Sequence, residues 1–348
     1  MATIKVLRGN TSSIANYAGQ AGEVALNSDT GNLVFWTNTA NTYYTFGEAE
    51  APAYSFQGSV SGYLSGGAHG SIPGRPNVAA AGRIQKFSFT SDNSSADIGD
   101  LTQARDRVTG HSSSTFGYTA GGYASATAQD RIDKFPFSSD TDAVDVAELV
   151  QESRQGAGSS SSTHGYVHGG YGLNPTPGVI QKFTFTSDAP GTDVGELNIP
   201  RASHAGHSSL THGYASGGFP PNLNAIEKFS FSSDSSGVDV AEMTKENYFH
   251  SGQSSSTHGY ASGGKVGTPI VDSIDKFSFS SDSPGTDVGE LTAARWALGG
   301  NQSTTHGYAI GGVGTNTIDK FPFTSDAPAA DVGEVLSPNA YYIATQQV

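Results

Sequence analysis

The sequence predicts an all-β chain, a six-bladed β-propeller preceded by a small β-rich module. Three observations predict it. A Gly-Tyr-x-x-Gly-Gly signature occurs six times, beginning at Gly62, Gly117, Gly165, Gly213, Gly259 and Gly307, with spacings of 55, 48, 48, 46 and 48 residues. Each signature is followed by an Ile-x-Lys-Phe-x-Phe segment whose two Phe alternate with the period of two that a sheet face requires. Glycine fills 45 of 348 positions, and Gly, Ser, Thr and Pro crowd out the strong helix formers. A repeat of this length holding four short strands is the pattern of blades stacked around an axis.

Composition excludes other classes. Aromatic residues reach 10% and recur regularly, which argues against a disordered acidic tail. The glycines follow no triplet period, so a collagen helix is excluded. No cysteine is present, which removes disulfides, thiolate metal sites and cysteine nucleophiles. With 32 acidic against 18 basic side chains the net charge is -14, and no cluster of Lys and Arg stands ready to neutralise a phosphate backbone. No apolar run approaches the roughly 20 residues of a membrane helix, and the N-terminus lacks the long apolar core of a secretory signal. Neither nucleic acid nor membrane insertion is expected.

Residues 1–50 stand outside the repeat and read as strands around the Asp29-Thr30-Gly31 turn, with a further aromatic strand over 38–46. Residues 54–348 carry the six units. In each, the Lys-Phe strand leads to a pair of aspartates: Asp92/Asp97, Asp140/Asp145, Asp188/Asp193, Asp234/Asp239, Asp282/Asp287 and Asp326/Asp331. A short Val-Gly-Glu-Leu-like strand follows, and then a Ser-rich segment that ends, in four units, in Thr-His-Gly-Tyr. Pro136 and Pro322 fall between paired Phe residues, a placement suited to an outer strand or a bulge. The tail from Tyr341 to Val348 matches a Ser/Gly-rich strand by offset, so it is expected to complete the first blade in preference to residues 54–59.

The order Tyr-x-x-Gly-Gly, aromatic strand, Asp, short strand and then Arg resembles the kelch repeat. The Arg position reads as Arg105, Arg201 and Arg295, with Asn247 and Asn339 at the same offset and Arg154 one place late. The Trp that usually precedes it is missing. The resemblance implies a blade with the Ser/Gly-rich strand innermost, Tyr-x-x-Gly-Gly second, Lys-Phe-x-Phe third and Val-Gly-Glu-Leu outermost.

The N-terminal segment, with Leu7-Arg8-Gly9, Gly22-Glu23-Val24 and Asp29-Thr30-Gly31, is similar to a module of bacteriophage tail fibres and related virion appendages. It has one Arg where that module has two and lacks its Gly-Asp-Gly. The repeats resemble those of marine phage virion proteins, cyanophages in particular. This implies a virion structural protein, a tail fibre or tail-associated appendage attached to other virion proteins by its N-terminal module. The propeller would be presented to a host surface glycan or protein, in a homo-oligomer with a trimer favoured. The alternatives are a capsid-decorating or tail adaptor protein with an architectural propeller and, third, a glycan-degrading enzyme.

Within the chain, all length variation falls after the Gly-Gly, where 15, 8, 8, 6, 8 and 4 residues intervene. Uniform scaffold with variable loops on one face is how repeat proteins display a binding surface. The candidate contact residues in these loops are His69, Arg75, Tyr123, Tyr171, Asn174, Phe219, Asn222 and Lys265.

Dedicated chemistry finds little support. His164, His212, His258 and His306 read as hairpin-turn residues beside a glycine of positive φ, not as ligands of one ion. The Asp pairs read as turn caps more simply than as calcium loops. Lys86, Lys134, Lys182, Lys228, Lys276 and Lys320 are expected to pair with Asp100, Glu148, Glu196, Glu242, Glu290 and Glu334 between blades. Carboxylates repeat six-fold, whereas an active site is a break in symmetry. No catalytic, metal or cofactor residue is assigned.

Overall fold

The structure is a computed structural model that describes residues 57–69, 79–80, 82–172, 178–336 and 340–348, with the backbone of four N-terminal strands. The chain divides into residues 1–54 and 55–348. In the first unit Val6–Gly9 pairs parallel with Val24–Asn27, and Leu33–Trp36 and Tyr43–Phe46 extend the sheet antiparallel.

The second unit is a six-bladed β-propeller, consistent with kelch-like repeats. Blade 2 shows the plan, with strands a to d at Thr109–Ser112, Phe116–Ala120, Arg131–Pro136 and Val144–Glu148. Blades 3 to 6 repeat it, starting from inner strands Ala157–Ser160, Ala205–Ser208, Ser251–Ser254 and Gly299–Gln302. Blade 1 takes its inner strand from the C-terminus: Ala344–Gln347 pairs with Ser61–Ser65, and Arg83–Ser88 and Ala96–Asp100 complete the sheet. The tail therefore closes the ring, as the offset predicts.

Apolar packing runs from each blade to the next. The strand b Tyr stacks on the second Phe of the following blade: Tyr118 on Phe185 at 4.7 Å, Tyr166 on Phe231 at 4.7 Å and, across the closure, Tyr308 on Phe89 at 4.8 Å. Each such pair adds about 0.5–1.5 kcal/mol beyond the area it buries. The Tyr-Gly-Gly and Phe-x-Phe signatures are thus two halves of one interface.

Several expectations are corrected. The glycine after the turn histidine does not supply positive φ; a Cβ on Gly165 would lie 2.4 Å from the Phe183 ring, so the position is held by close packing. The left-handed conformation belongs to the Gly-Gly pair, as at Gly121 (φ 63) and Gly122 (φ 108). Pro136 sits at the end of strand c, opposite Phe116 and beyond the last residue paired with strand d, so no outer-ladder bond is lost. The strand c lysines do pair between blades, but with the first Asp of the next unit: Lys134–Asp188 at 2.9 Å, Lys182–Asp234 at 2.7 Å and Lys320–Asp92 at 2.9 Å. The expected partner Glu148 lies at the far end of strand d, opposite Arg131, whereas Lys134 is opposite Val144. The second Asp lies within strand d and caps that strand's bulge instead of a turn, as where Gly195 N donates to Asp193 Oδ1 at 3.2 Å.

The Arg position is structural. Arg105, Arg201 and Arg295 are fully buried and pair with Asp133, Glu227 and Asp319. Ser153 occupies the place in blade 3, and Asn247 in blade 5. Asn339 lies outside the described residues; the carbonyl that receives the Gly-Gly amide there is that of Ala340, because this connection is one residue longer.

Candidate binding face

Because strands alternate in direction, the b–c loops and the d–a connections emerge on one face of the propeller. Single bridges tie them together: Asp106 to Tyr123, Arg154 to Tyr171, Ala202 to Phe219 and Tyr248 to Lys265. Tyr123, Tyr171, Phe219 and Lys265 therefore hold equivalent positions, each directly after a Gly-Gly. Asn222 is half-buried in the turn after Phe219. His69 ends the short strand Ala68–His69, its side chain outside the described part, and Arg75 and Asn174 lie outside the described residues.

At the centre of this face is a ring that sequence reading missed. Arg107, Gln155, Ser203, Phe249, Ala297 and Tyr342 each stand two positions before the start of an inner strand, and each is left-handed, with φ between 56 and 59. The conformation turns each amide toward the carbonyl of the preceding member. Gln155 N donates to Arg107 O at 3.1 Å, Ser203 to Gln155 at 2.7 Å and Phe249 to Ser203 at 2.7 Å. Ala297 to Phe249 at 2.8 Å, Tyr342 to Ala297 at 2.9 Å and Arg107 to Tyr342 at 3.0 Å complete the circle. A left-handed non-glycine residue costs about 1–2 kcal/mol. In a chain with 45 glycines none stands here, so side chains are kept at the mouth against backbone strain.

Those side chains build an aromatic arc. Phe219 meets Tyr248 at 5.6 Å, Tyr248 meets Phe249 at 5.2 Å, and Phe249 meets both Trp296 at 5.2 Å and Tyr342 at 5.5 Å. The arc then alternates rings with guanidinium groups. Arg107 lies 4.8 Å from the Tyr342 ring centre and 5.1 Å from that of Tyr123, and Arg154 lies 4.7 Å from Tyr123 and 5.8 Å from Tyr171. Lys265 sits 4.6 Å over Trp296. The arc breaks at Gln155, Ser203 and Ala202, so the face is not six-fold. Most of these side chains are half-buried, held by neighbours yet open on one side, and Phe219 is 41% exposed. The equivalence of Tyr123, Tyr171 and Lys265 was legible from the Gly-Gly offset; Tyr248, Trp296 and Tyr341 sit at a matching offset before each inner strand, and that signal went unused.

Below the mouth lies a cavity of about 170 Å³ on the axis, lined by inner-strand residues such as Gly158, Ser160, Gly206 and Gly252. Five histidines are packed around it in blades 2 to 5. His168 Nδ1 lies 3.0 Å from His204 Nε2, and Ser216 Oγ joins His207 Nε2 at 2.8 Å to His250 Nε2 at 3.0 Å. Burial pushes His111 and His207 down to about 4 and His168 and His250 to about 3, and it holds His204 well below its ordinary value, so the network is neutral. Among the described residues no three His, Cys, Asp or Glu side chains gather as a metal site. The turn histidines stay separate, each bound to its own threonine, as His164 Nδ1 is to Thr163 Oγ1 at 2.8 Å.

No protein-family model matches the chain, and no curated protein matches it. The geometry of the arc is therefore the ground for a functional reading.

Proposed function

We propose that this protein is a binding protein whose propeller recognises a surface component of a cell through the aromatic face, and that it serves as a virion appendage. The observation that carries the binding reading is the strained mouth ring bearing Arg107, Phe249 and Tyr342 within a continuous arc of rings and cations. Rigid aromatic side chains supply contact area at small entropic cost, and scaffold-held loops are where binding residues concentrate. The virion reading rests on the resemblance of residues 1–50 and of the repeats to phage appendage proteins.

Two measurements test this. Gold-labelled antibody against the full chain should mark a tail-associated structure in electron micrographs of virions. Purified full chain added to cells beforehand should block adsorption. Labelling over the capsid with no block of adsorption would favour the capsid-decorating role and refute host recognition.

A further inference from the structure

We infer that the ligand of the aromatic face is an acidic polysaccharide, its sugar rings stacked on the arc and its anionic groups held by Arg154 and Lys265. This rests on the binding reading above and specifies the chemistry of its ligand. Charge is the argument. The chain is strongly acidic at -14, and each strand c lysine is committed to an aspartate of the next blade. On the arc, Arg107 is neutralised by Asp106 at 2.5 Å. Among the described residues no carboxylate forms an ion pair with Arg154 or Lys265. Asp106, paired with Arg107, also feels the Arg154 charge without forming an ion pair with it, and Asp130, Glu152, Glu246 and Asp272, on loops of the same face, pair with neither cation.

Both cations are instead held over rings, Arg154 between Tyr123 and Tyr171 and Lys265 over Trp296. Stacking fixes each head group in place without consuming its charge, since a ring face attracts a cation but accepts few of its hydrogen bonds. Two fixed charges with unused donors, on a surface of half-open aromatic faces, match a polymer that is apolar on its C–H faces and anionic at intervals. Charge-assisted bonds from a guanidinium to carboxylate or sulfate are the strong, oriented kind. The gap in the arc at Gln155 and Ser203 lets such a chain run off the face.

The test is retardation of the full-length protein in gels containing alginate, dextran sulfate or neutral dextran, at low and high salt. The expected result is retardation by alginate or dextran sulfate and none by dextran, weakening as salt rises. Whichever anionic gel retards the protein identifies carboxylate or sulfate as the recognised group. Arg154→Gln combined with Lys265→Gln should weaken retardation at least tenfold, and Trp296→Ala should weaken it comparably, with unchanged melting temperatures. Lys245→Gln, whose lysine is paired with Asp287 at 3.5 Å, should change it little. Equal retardation by dextran, or by a polyphosphate gel, would overturn the inference while leaving cell binding through Trp296 intact. Cell binding that survives all three substitutions would overturn the binding reading itself.

Discussion

Lys320 and Asp92, separated by 228 residues in sequence, meet at 2.9 Å across the junction of the last and first blades. The contact copies the pair made at the other junctions, so the closure is chemically the same as an internal interface. What differs there is the sheet itself, in which Ala344–Gln347 from the C-terminus pairs with Ser61–Ser65.

That difference sets the first prediction. Asp92→Asn should cost only about 0.2–1 kcal/mol, because the aspartate is half-exposed and such pairs are weak. Removal of residues 344–348 should unfold blade 1 and sharply lower the urea midpoint. Equal effects from the two changes would contradict a closure carried by the strand.

Arg105 and Asp133 form a fully buried pair at 3.0 Å, with Asp133 also accepting from Thr102 N at 3.0 Å. Arg105→Ser should destabilise by about 3–5 kcal/mol, since it leaves a buried carboxylate unpaired. Adding Asp133→Gln should recover most of the loss. Blade 3 already uses that combination: Ser153 stands in the Arg place, and Gln181 bonds Gln151 N at 2.8 Å. Additive losses in the double variant, measured by denaturant titration, would refute it.

Gly165→Ala should destabilise by about 1–3 kcal/mol, the range for overpacking, because the added methyl would meet the Phe183 ring at 2.4 Å. Phe183→Leu in the same chain should relieve part of the clash. A neutral Gly165→Ala would show that the glycine serves something other than the ring.

The buried histidines give a pH dependence with a definite sign. Their folded pKa values lie below the unfolded value near 6.5, so below that pH the unfolded chain takes up protons that the folded chain refuses. Stability is complete above pH 6.5 and falls as pH drops toward 4, by up to about 1.4 kcal/mol per pH unit for each histidine. His207→Gln should flatten that slope in thermal melts between pH 6.5 and 4, since burial holds His207 at about 4. An unchanged slope would place the acid sensitivity elsewhere.

The fold was legible because blades repeat: six copies of one signature report strand order, packing partners and the ring-closing tail together. The ion pairs were legible in kind but misassigned in partner, since Glu148 and Asp188 are equally plausible along the chain and only register separates them. The mouth ring was not legible. Its members, from Arg107 to Tyr342, share no residue type, and left-handed backbone leaves no mark in sequence when the residue is not glycine. Half of the aromatic arc was found through the Gly-Gly offset, and the other half was hidden in connections that look like spacers.

The central claim is that one face of the propeller binds. The most direct measurement is the affinity of labelled full-length protein for intact cells, comparing Trp296→Ala and Tyr342→Ala with Leu210→Ala. Leu210 is 68% exposed at an a–b turn on the opposite face. The account predicts at least a tenfold loss for each aromatic substitution and none for Leu210→Ala. Loss on Leu210→Ala with Trp296→Ala and Tyr342→Ala binding normally would contradict it.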